Sequence, residues 1–410
     1  MRRPVRYRCV TCGETLESPE VVYLCPQCAR QPAATDEFPR GCLSVAFEPA
    51  APGRAGQPAD LSSFLPLPLA LWPRFPAGGT PLVAPEGLRA RTGFGGLWLK
   101  NDTVTMSGSL KDRASILVAE QALAAGERRV VLASTGNAGA SMACAGAACG
   151  LQVILFVPAD APRAKLLQSL MYGARVVPVK GTYDDAFGLS ISYSSRHGGI
   201  NRNTAFNPFT VEGKKTVSLE IYNQLGFNAP DVVYVPTGDG VIFSGACKGF
   251  LDLHQAGMIG RLPVMNVVQA RGSNAIVRSV REGRQVVIPA TSTIADSLSV
   301  CRPAAGEMAL QMLARFRGRA VEVADEEIRE AQADLARSAG LFVEPSSATA
   351  WAGFLKDRPN LDRSAAVVVL LTGTGFKDTA AAEKLVSLPG PCEPDVESAA
   401  RFLADQYDIR

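Results

Sequence analysis

A chain of 410 residues that is 47% hydrophobic, 20% charged and 7% aromatic has the composition of a folded α/β protein of two or three domains, which excludes a disordered or fibrous one. Its 42 Lys and Arg are dispersed and balanced by 39 Asp and Glu to a net charge of +3, so nucleic acid and anionic membranes are not expected partners. No apolar run approaches the roughly 20 residues of a membrane span, and the basic start Met1-Arg2-Arg3-Pro4 leads into polar sequence rather than a signal segment, so a cytoplasmic protein is expected.

The first forty residues read as a separate ribbon-like module built on Cys9-x2-Cys12 and Cys25-x2-Cys28. Two such pairs can surround a tetrahedral Zn ion, and with all four positions taken the metal would be structural. The spacing from Cys12 to Cys25 is a little short for such a site, and free thiols are the alternative. Cys144, Cys149 and Cys247 sit in small-residue helical stretches and read as core packing.

Residues 48–81 are dense in Pro, Gly and Ala and are expected to be irregular. From about Gly96 short β-branched runs alternate with helical patterns. Strands are expected at Val130–Ala133, Val153–Val157, Val176–Val179, Val232–Val235, Val264–Val268, Val321–Val323 and Val367–Leu371. Helices are expected at Asn137–Ala148, Arg163–Tyr172, Gly213–Leu225, Glu326–Ala339 and Ser346–Lys356. This order implies parallel sheets covered on both faces, with ligands bound where strand ends feed helix N-termini.

Four such places carry chemistry-bearing residues. In Ser107-Gly108-Ser109-Leu110-Lys111-Asp112-Arg113 a lysine opens a helix behind small residues, where desolvation and the helix-terminus potential lower its pKa and favour imine chemistry. In Ser134-Thr135-Gly136-Asn137 small residues permit close backbone approach, while hydroxyls and an amide offer donors to a carboxylate or phenolic oxygen. Pro236-Thr237-Gly238-Asp239-Gly240 follows a strand and precedes a helix, the setting of a phosphate cradle, and it lacks the Lys-Ser/Thr of a P-loop. Thr372-Gly373-Thr374-Gly375 ends the most apolar strand and offers a hydroxyl to a heteroaromatic nitrogen. Each loop alone reads as a mere turn; a reactive amine, a carboxylate loop, a phosphate cradle and a hydroxyl together are what pyridoxal phosphate requires.

These residues resemble the fold-type II, or tryptophan synthase β-type, pyridoxal-phosphate enzymes, and among them most closely the threonine synthases. The marks are Gly108-Ser109-x-Lys111-Asp112-Arg113, Ser134-Thr135-Gly136-Asn137, Asn207-Pro208 with Glu212-Gly213-x-Lys215-Thr216, and Thr372-Gly373-x-Gly375-x-Lys377-Asp378. The resemblance implies two open, twisted, mostly parallel α/β domains with the cofactor between them, plus the N-terminal ribbon. On this reading residues 1–40 are the ribbon, 41–103 and 209–410 the large domain, and 104–208 the small one. It also implies that Lys111 is the Schiff-base lysine and that Asn137 faces the cofactor's phenolic oxygen. Thr237, Gly238, Asp239 and Gly240 would hold the phosphate and Thr372 meet the pyridine nitrogen. Ser109, Ser134, Thr135, Gly136 and Thr210 are the implied substrate residues, and a homodimer is implied by analogy alone.

The implied activity is β,γ-elimination or replacement on an activated amino acid such as O-phosphohomoserine. The departures bear on the substrate. Thr210 stands where a basic residue usually follows Asn-Pro-aromatic, Asp239 replaces the usual Asn of the phosphate loop, and Met106-Ser107 replaces Pro-Thr. β-Replacement or β-elimination on serine, threonine or O-activated serine is therefore the second reading, and a binding protein on an enzyme scaffold the third. With only His197 and His254, and no G-x-S-x-G, a histidine-dependent hydrolase is not supported.

Overall fold

In the computed structural model, which describes residues 5–31, 34, 37–48 and 54–409, each β-branched run expected as a strand pairs into a sheet. Strands β1 (Val5–Cys9), β2 (Thr15–Ser18) and β3 (Leu43–Val45) form an antiparallel ribbon in the order β2-β1-β3. Its third strand lies past residue 40, so the ribbon closes on residues just beyond the cysteine pairs.

The large sheet contains β4 (Leu82–Val83), β5 (Leu97–Asn101), β10 (Val232–Pro236), β11 (Val264–Ala270), β12 (Ala320–Val323) and β13 (Val367–Leu371), in the order β12-β11-β10-β13-β5-β4. All its pairings are parallel except β4 with β5. The smaller sheet is wholly parallel: β6 (Arg129–Ala133), β7 (Gln152–Pro158), β8 (Arg175–Val179) and β9 (Ile200–Asn201), in the order β8-β7-β6-β9. β10 and β13 are buried along their whole length, as expected of central parallel strands that read as continuous apolar runs.

Strand β5 was not expected. Leu97-Trp98-Leu99 is too short and too poor in β-branched residues to announce itself, and it becomes a strand by pairing with β13. The helix expected at Gly213–Leu225 begins earlier and divides into Phe209–Lys214 and Thr216–Gln224. It divides at Lys215, whose buried amine pairs with Glu212 and Asp252. Gly213 lets this segment lie directly on the helix Lys111–Ala124, since a Cβ there would sit 2.1 Å from the Arg113 carbonyl oxygen.

A buried ionic network anchors that helix. Arg113 donates to both oxygens of Asp102, at 2.6 and 2.8 Å, and to both oxygens of Glu220, at 2.7 and 2.9 Å. Lys100 adds a 2.7 Å bond to Glu220. Burial alone would raise the Glu220 carboxyl, but Arg113 and Lys100 overcome it and hold it at about 2. Gly79 and Thr80, at the end of the Pro-rich connection, also donate to Glu220, so the connection is tied to the body at the helix that Lys111 opens.

Candidate active site

Lys111 is the first residue of the helix Lys111–Ala124 and is half-buried. Leu110 N–H donates to the Thr372 carbonyl at 2.9 Å, and Thr374 N–H donates to the Gly108 carbonyl at 3.0 Å. Ser109 and Gly373 face each other across an antiparallel bridge. Two loops separated by over 250 positions in sequence are thus laced together around the lysine. Burial lowers the Lys111 amine from its ordinary value; Asp239 and Glu344 oppose the shift, and Arg202 adds to it. The Ser109 hydroxyl beside it is buried and has no partner among the described residues.

The Ser134-Thr135-Gly136-Asn137 loop leaves the end of β6 and enters the helix Asn137–Cys149. Ser134 Oγ accepts from the N–H groups of Gly136 and Gly139 at 3.3 and 3.1 Å, so its own hydroxyl hydrogen remains free to donate. Thr135, Gly136 and Asn137 are half-buried, and a Cβ built on Gly136 would meet nothing within 4 Å, which places open space at this loop.

Asn137 Nδ2 donates to both oxygens of Glu344, at 2.9 and 3.1 Å. Burial raises the Glu344 carboxyl above its ordinary range, and the Asn137 bond works against that rise. Glu344 also lies against Gly373, where a Cβ would fall 2.4 Å from its Oε1. The sequence reading missed Glu344. Its one signal is its position directly before Pro345, where the helix Pro345–Asp357 starts and its N-terminal end points into the site.

The Thr237-Gly238-Asp239-Gly240 turn joins β10 to the helix Val241–Gln255. Gly240 has φ +91°, and a Cβ on it would sit 2.7 Å from the Ala305 carbonyl oxygen, so glycine is required there on both counts. Thr237 turns its hydroxyl to the Val235 carbonyl at 2.9 Å, and Asp239 Oδ1 accepts the Val241 N–H at 3.0 Å. One carboxylate oxygen therefore already occupies one of the amides that opens the helix.

Thr372 is buried at the end of β13, with its N–H donating to Ser347 Oγ at 2.8 Å. Thr210 is fully buried; its hydroxyl donates to the Asn207 carbonyl at 2.7 Å and accepts the Ala205 N–H at 3.2 Å, so local backbone uses it on both sides. Two further residues escaped the sequence reading, Arg202 and Lys214, both buried and both close enough to Lys111 to disfavour its protonation or be disfavoured by it.

In the ribbon, the sulfurs of Cys9, Cys12, Cys25 and Cys28 all lie within 4.8 Å of one another, and the donor set and spacing fit a tetrahedral Zn site. Cys144, Cys149 and Cys247 are buried in the core as expected.

A lysine opening a helix, flanked by glycine-containing loops at the carboxyl ends of the parallel strands of two sheets, defines the class of fold-type II pyridoxal-phosphate enzymes. The profile of the family described as pyridoxal-phosphate dependent enzymes matches residues 74–373, and this chain belongs to that family. Within it the chain is similar to the threonine synthase of Methanocaldococcus jannaschii, at 34% identity over 97% of this chain and 99% of that one. It is also similar to the threonine synthases of Methanosarcina acetivorans, 33% identical over 90% of this chain and 92% of that one, and Mycobacterium tuberculosis, 36% identical over 77% and 87%. Among solved structures, the processed form of threonine deaminase isoform 2 from Solanum lycopersicum superposes with a TM-score of 0.65 at 21% identity, over 86% of this chain and all of that one. Maize serine racemase gives a TM-score of 0.63 at 20% identity, over 75% and 91%. The chain is thus a pyridoxal-phosphate-dependent enzyme with threonine synthase homologues, and none of its helices is long and apolar enough to cross a membrane among the described residues.

Proposed function

We propose that this enzyme performs β,γ-elimination or replacement on an activated amino acid such as O-phosphohomoserine. The observation that carries the reading is the lacing of the Thr372 loop to the Lys111 loop, with Asn137 held opposite by Glu344. The unpartnered Ser109 hydroxyl and the open space at Gly136 fit a bound cofactor and substrate. When bound, pyridoxal phosphate supplies the electron sink that makes the substrate Cα–H acidic.

Lys111 would hold the cofactor and move protons among Cα, Cβ and Cγ; its burial-lowered amine keeps more of it in the proton-accepting form at neutral pH. The free hydroxyl hydrogen of Ser134 and the start of the helix Asn137–Cys149 would receive the substrate carboxylate, with Thr135 and Gly136 beside them. Asn137 would orient the phenolic oxygen, and Gly238, Asp239 and Gly240 would line the phosphate. Thr372 would offer the pyridine nitrogen a neutral hydroxyl rather than a carboxylate, a partner that would favour leaving-group loss over transamination.

The position of Thr210 and Asp239 favours one alternative, β-replacement or β-elimination on serine, threonine or O-activated serine. Thr210 has no charge and its hydroxyl is already used. Incubating purified holoenzyme with O-phosphohomoserine should yield threonine and phosphate in equal amounts. No threonine, together with turnover of serine or an O-activated serine, would replace the first reading with the second. We further propose that the four ribbon thiolates hold a structural Zn, that residues 104–208 act as the smaller of two domains closing on the cofactor, and that the protein is a cytoplasmic homodimer.

A further inference from the structure

The cysteine ribbon touches both halves of the molecule, and it does so through residues that lie between or beside its two cysteine pairs. Between Cys9 and Cys12, the Thr11 hydroxyl donates to Glu307 at 2.7 Å and the Val10 carbonyl accepts from Gln311 Nε2 at 3.0 Å. Both partners lie on the helix Gly306–Arg315, whose Ala309 and Leu313 pack into the same core cluster as Val233 and Val235 of β10 and Met265 and Val267 of β11. Ala305, directly before that helix, donates its N–H to the Asp239 carbonyl at 2.9 Å, so the first knuckle stands behind the Thr237–Gly240 turn. Phe38 packs at the same place: a Cβ on Gly306 would fall 2.4 Å from its ring.

The second pair reaches the small sheet. Tyr23, two residues before Cys25, accepts the Asn201 N–H at 2.9 Å and stacks on Phe206 with 4.7 Å between ring centroids. Asn201 ends β9, the edge strand of that sheet, so the tyrosine satisfies backbone on the strand's open side. β9 in turn supports the Ser134 loop, because the Arg202 N–H donates to the Val131 carbonyl at 2.8 Å and Asn203 Oδ1 accepts the Ala133 N–H at 2.7 Å. Ala205 holds a left-handed φ of +65°, which an alanine keeps only where its surroundings impose it, and Cys42 donates to its carbonyl at 3.6 Å. Inside the ribbon, the two cysteine pairs are joined by hydrogen bonds around Gly41 and Cys42 and by the convergence of the four sulfurs.

We propose that the ribbon is a metal-dependent clamp that fixes the small sheet, and with it the Ser134 loop, against the large sheet. The clamp rests on the reading of the four thiolates as a zinc site. A bound ion would join the knuckle seated on the helix Gly306–Arg315 to the knuckle seated on β9. The links stand in series: Glu307 to Thr11, first cysteine pair to second through the metal, and Tyr23 to Asn201. A metal that only held the ribbon together would need neither outer link. Loss of any one link frees the small sheet to shift, which weakens the grip on an amino-acid carboxylate at the Ser134 loop. Lys111 and the Gly238–Gly240 turn, read above as holding the cofactor, keep their own packing.

The test uses full-length holoenzyme, as purified and after zinc extraction, with L-threonine as the probe. Binding is read by the change in cofactor absorbance, and backbone opening by amide hydrogen exchange. Extraction should weaken L-threonine binding roughly three- to tenfold. It should also speed exchange in peptides covering Asn201–Phe206 and Ser134–Asn137 while leaving those of β10 and β13 unchanged. Thr11→Val and Tyr23→Phe, which leave all four thiols in place, should keep zinc and show the same weakening. Extracting zinc from either variant should add little, because the series of links is already broken. If extraction unfolds the protein, these two variants carry the test. The exchange measurement needs no ligand, so it decides the matter if L-threonine leaves the absorbance unchanged. Zinc-containing Thr11→Val and Tyr23→Phe proteins that match wild type in binding and exchange would overturn the clamp and leave the zinc site standing. Exchange that quickens on extraction only within the ribbon would overturn it too. Protein purified without zinc would overturn the zinc reading, and this proposal with it.

Discussion

Asn137 and Glu344 show how much of the site depends on one contact. The amide is fixed because Nδ2 donates to both oxygens of a fully buried carboxylate, and that carboxylate has few other donors to satisfy it. Replacing the amide by a carboxylate, Asn137→Asp, sets two acids against each other at a buried position, which favours their sharing one proton over both ionising. The variant should lose about 10²-fold or more in kcat at neutral pH, and its pH–rate profile should shift to more acid values than that of the wild type, because protonation restores a donor between the two groups. A profile with an unmoved acid limb would show that the pair does not control the reaction. Asn137 was legible in the sequence from its place after a strand in a small-residue loop. Glu344 was not, since nothing in Phe342-Val343-Glu344-Pro345 says that its partner lies more than 200 positions away.

At the scale of elements, the strand-to-helix turns carry the site because parallel strands end where helices begin. Gly240→Ala would combine a left-handed backbone with a 2.7 Å approach to Ala305 O. It should cost about 1–3 kcal/mol of stability in denaturant titrations and weaken cofactor retention on dialysis. Retention equal to wild type would mean that the Gly240 turn does not touch the cofactor. The ribbon is a second such element. Three short strands enclose few apolar side chains, so four thiolates around a metal would supply much of its stability. Extraction with a chelator, or Cys9→Ser, should leave no zinc by metal analysis and lower the melting temperature, with the cofactor absorbance of the main body kept. Protein purified without zinc and melting unchanged would refute a structural metal.

For the whole molecule, the Glu220 network joins the Pro-rich connection, β5 and the helix of Lys111, so its strength bears on how firmly that lysine is held. Glu220 is held at about 2, below its ordinary value of 4.5, so the stability it contributes is fully present above that ordinary value and is lost as pH falls from there toward 2. Glu220→Gln leaves Arg113 and Lys100 without their shared carboxylate and should destabilise the protein by about 3–5 kcal/mol at neutral pH. The gap between wild type and variant should narrow as the pH drops below about 4.5. Denaturant midpoints measured from neutral pH down to the acid limb check this, and a gap that stays constant would mean that the ionised form is not what the network stabilises.

The sequence alone determined what local patterns can encode. β-Branched runs separated by helical stretches specify parallel strands, paired C-x2-C motifs place four thiols on two turns, and Ser107-Gly108-Ser109 sets a lysine at the opening of a helix. Properties of distance were outside its reach. Leu97-Trp98-Leu99 becomes a strand only against β13, and Asn137 meets Glu344 only when two sheets come together. Arg202 and Lys214 carry no mark along the chain, and folding buries Arg202 Nε and Nη2 and Lys214 Nζ without partners among the described residues, because burial and pairing are set by neighbours in space rather than along the chain. The lysine that opens the helix is legible along the chain; the buried groups that surround it are set only by the three-dimensional fold.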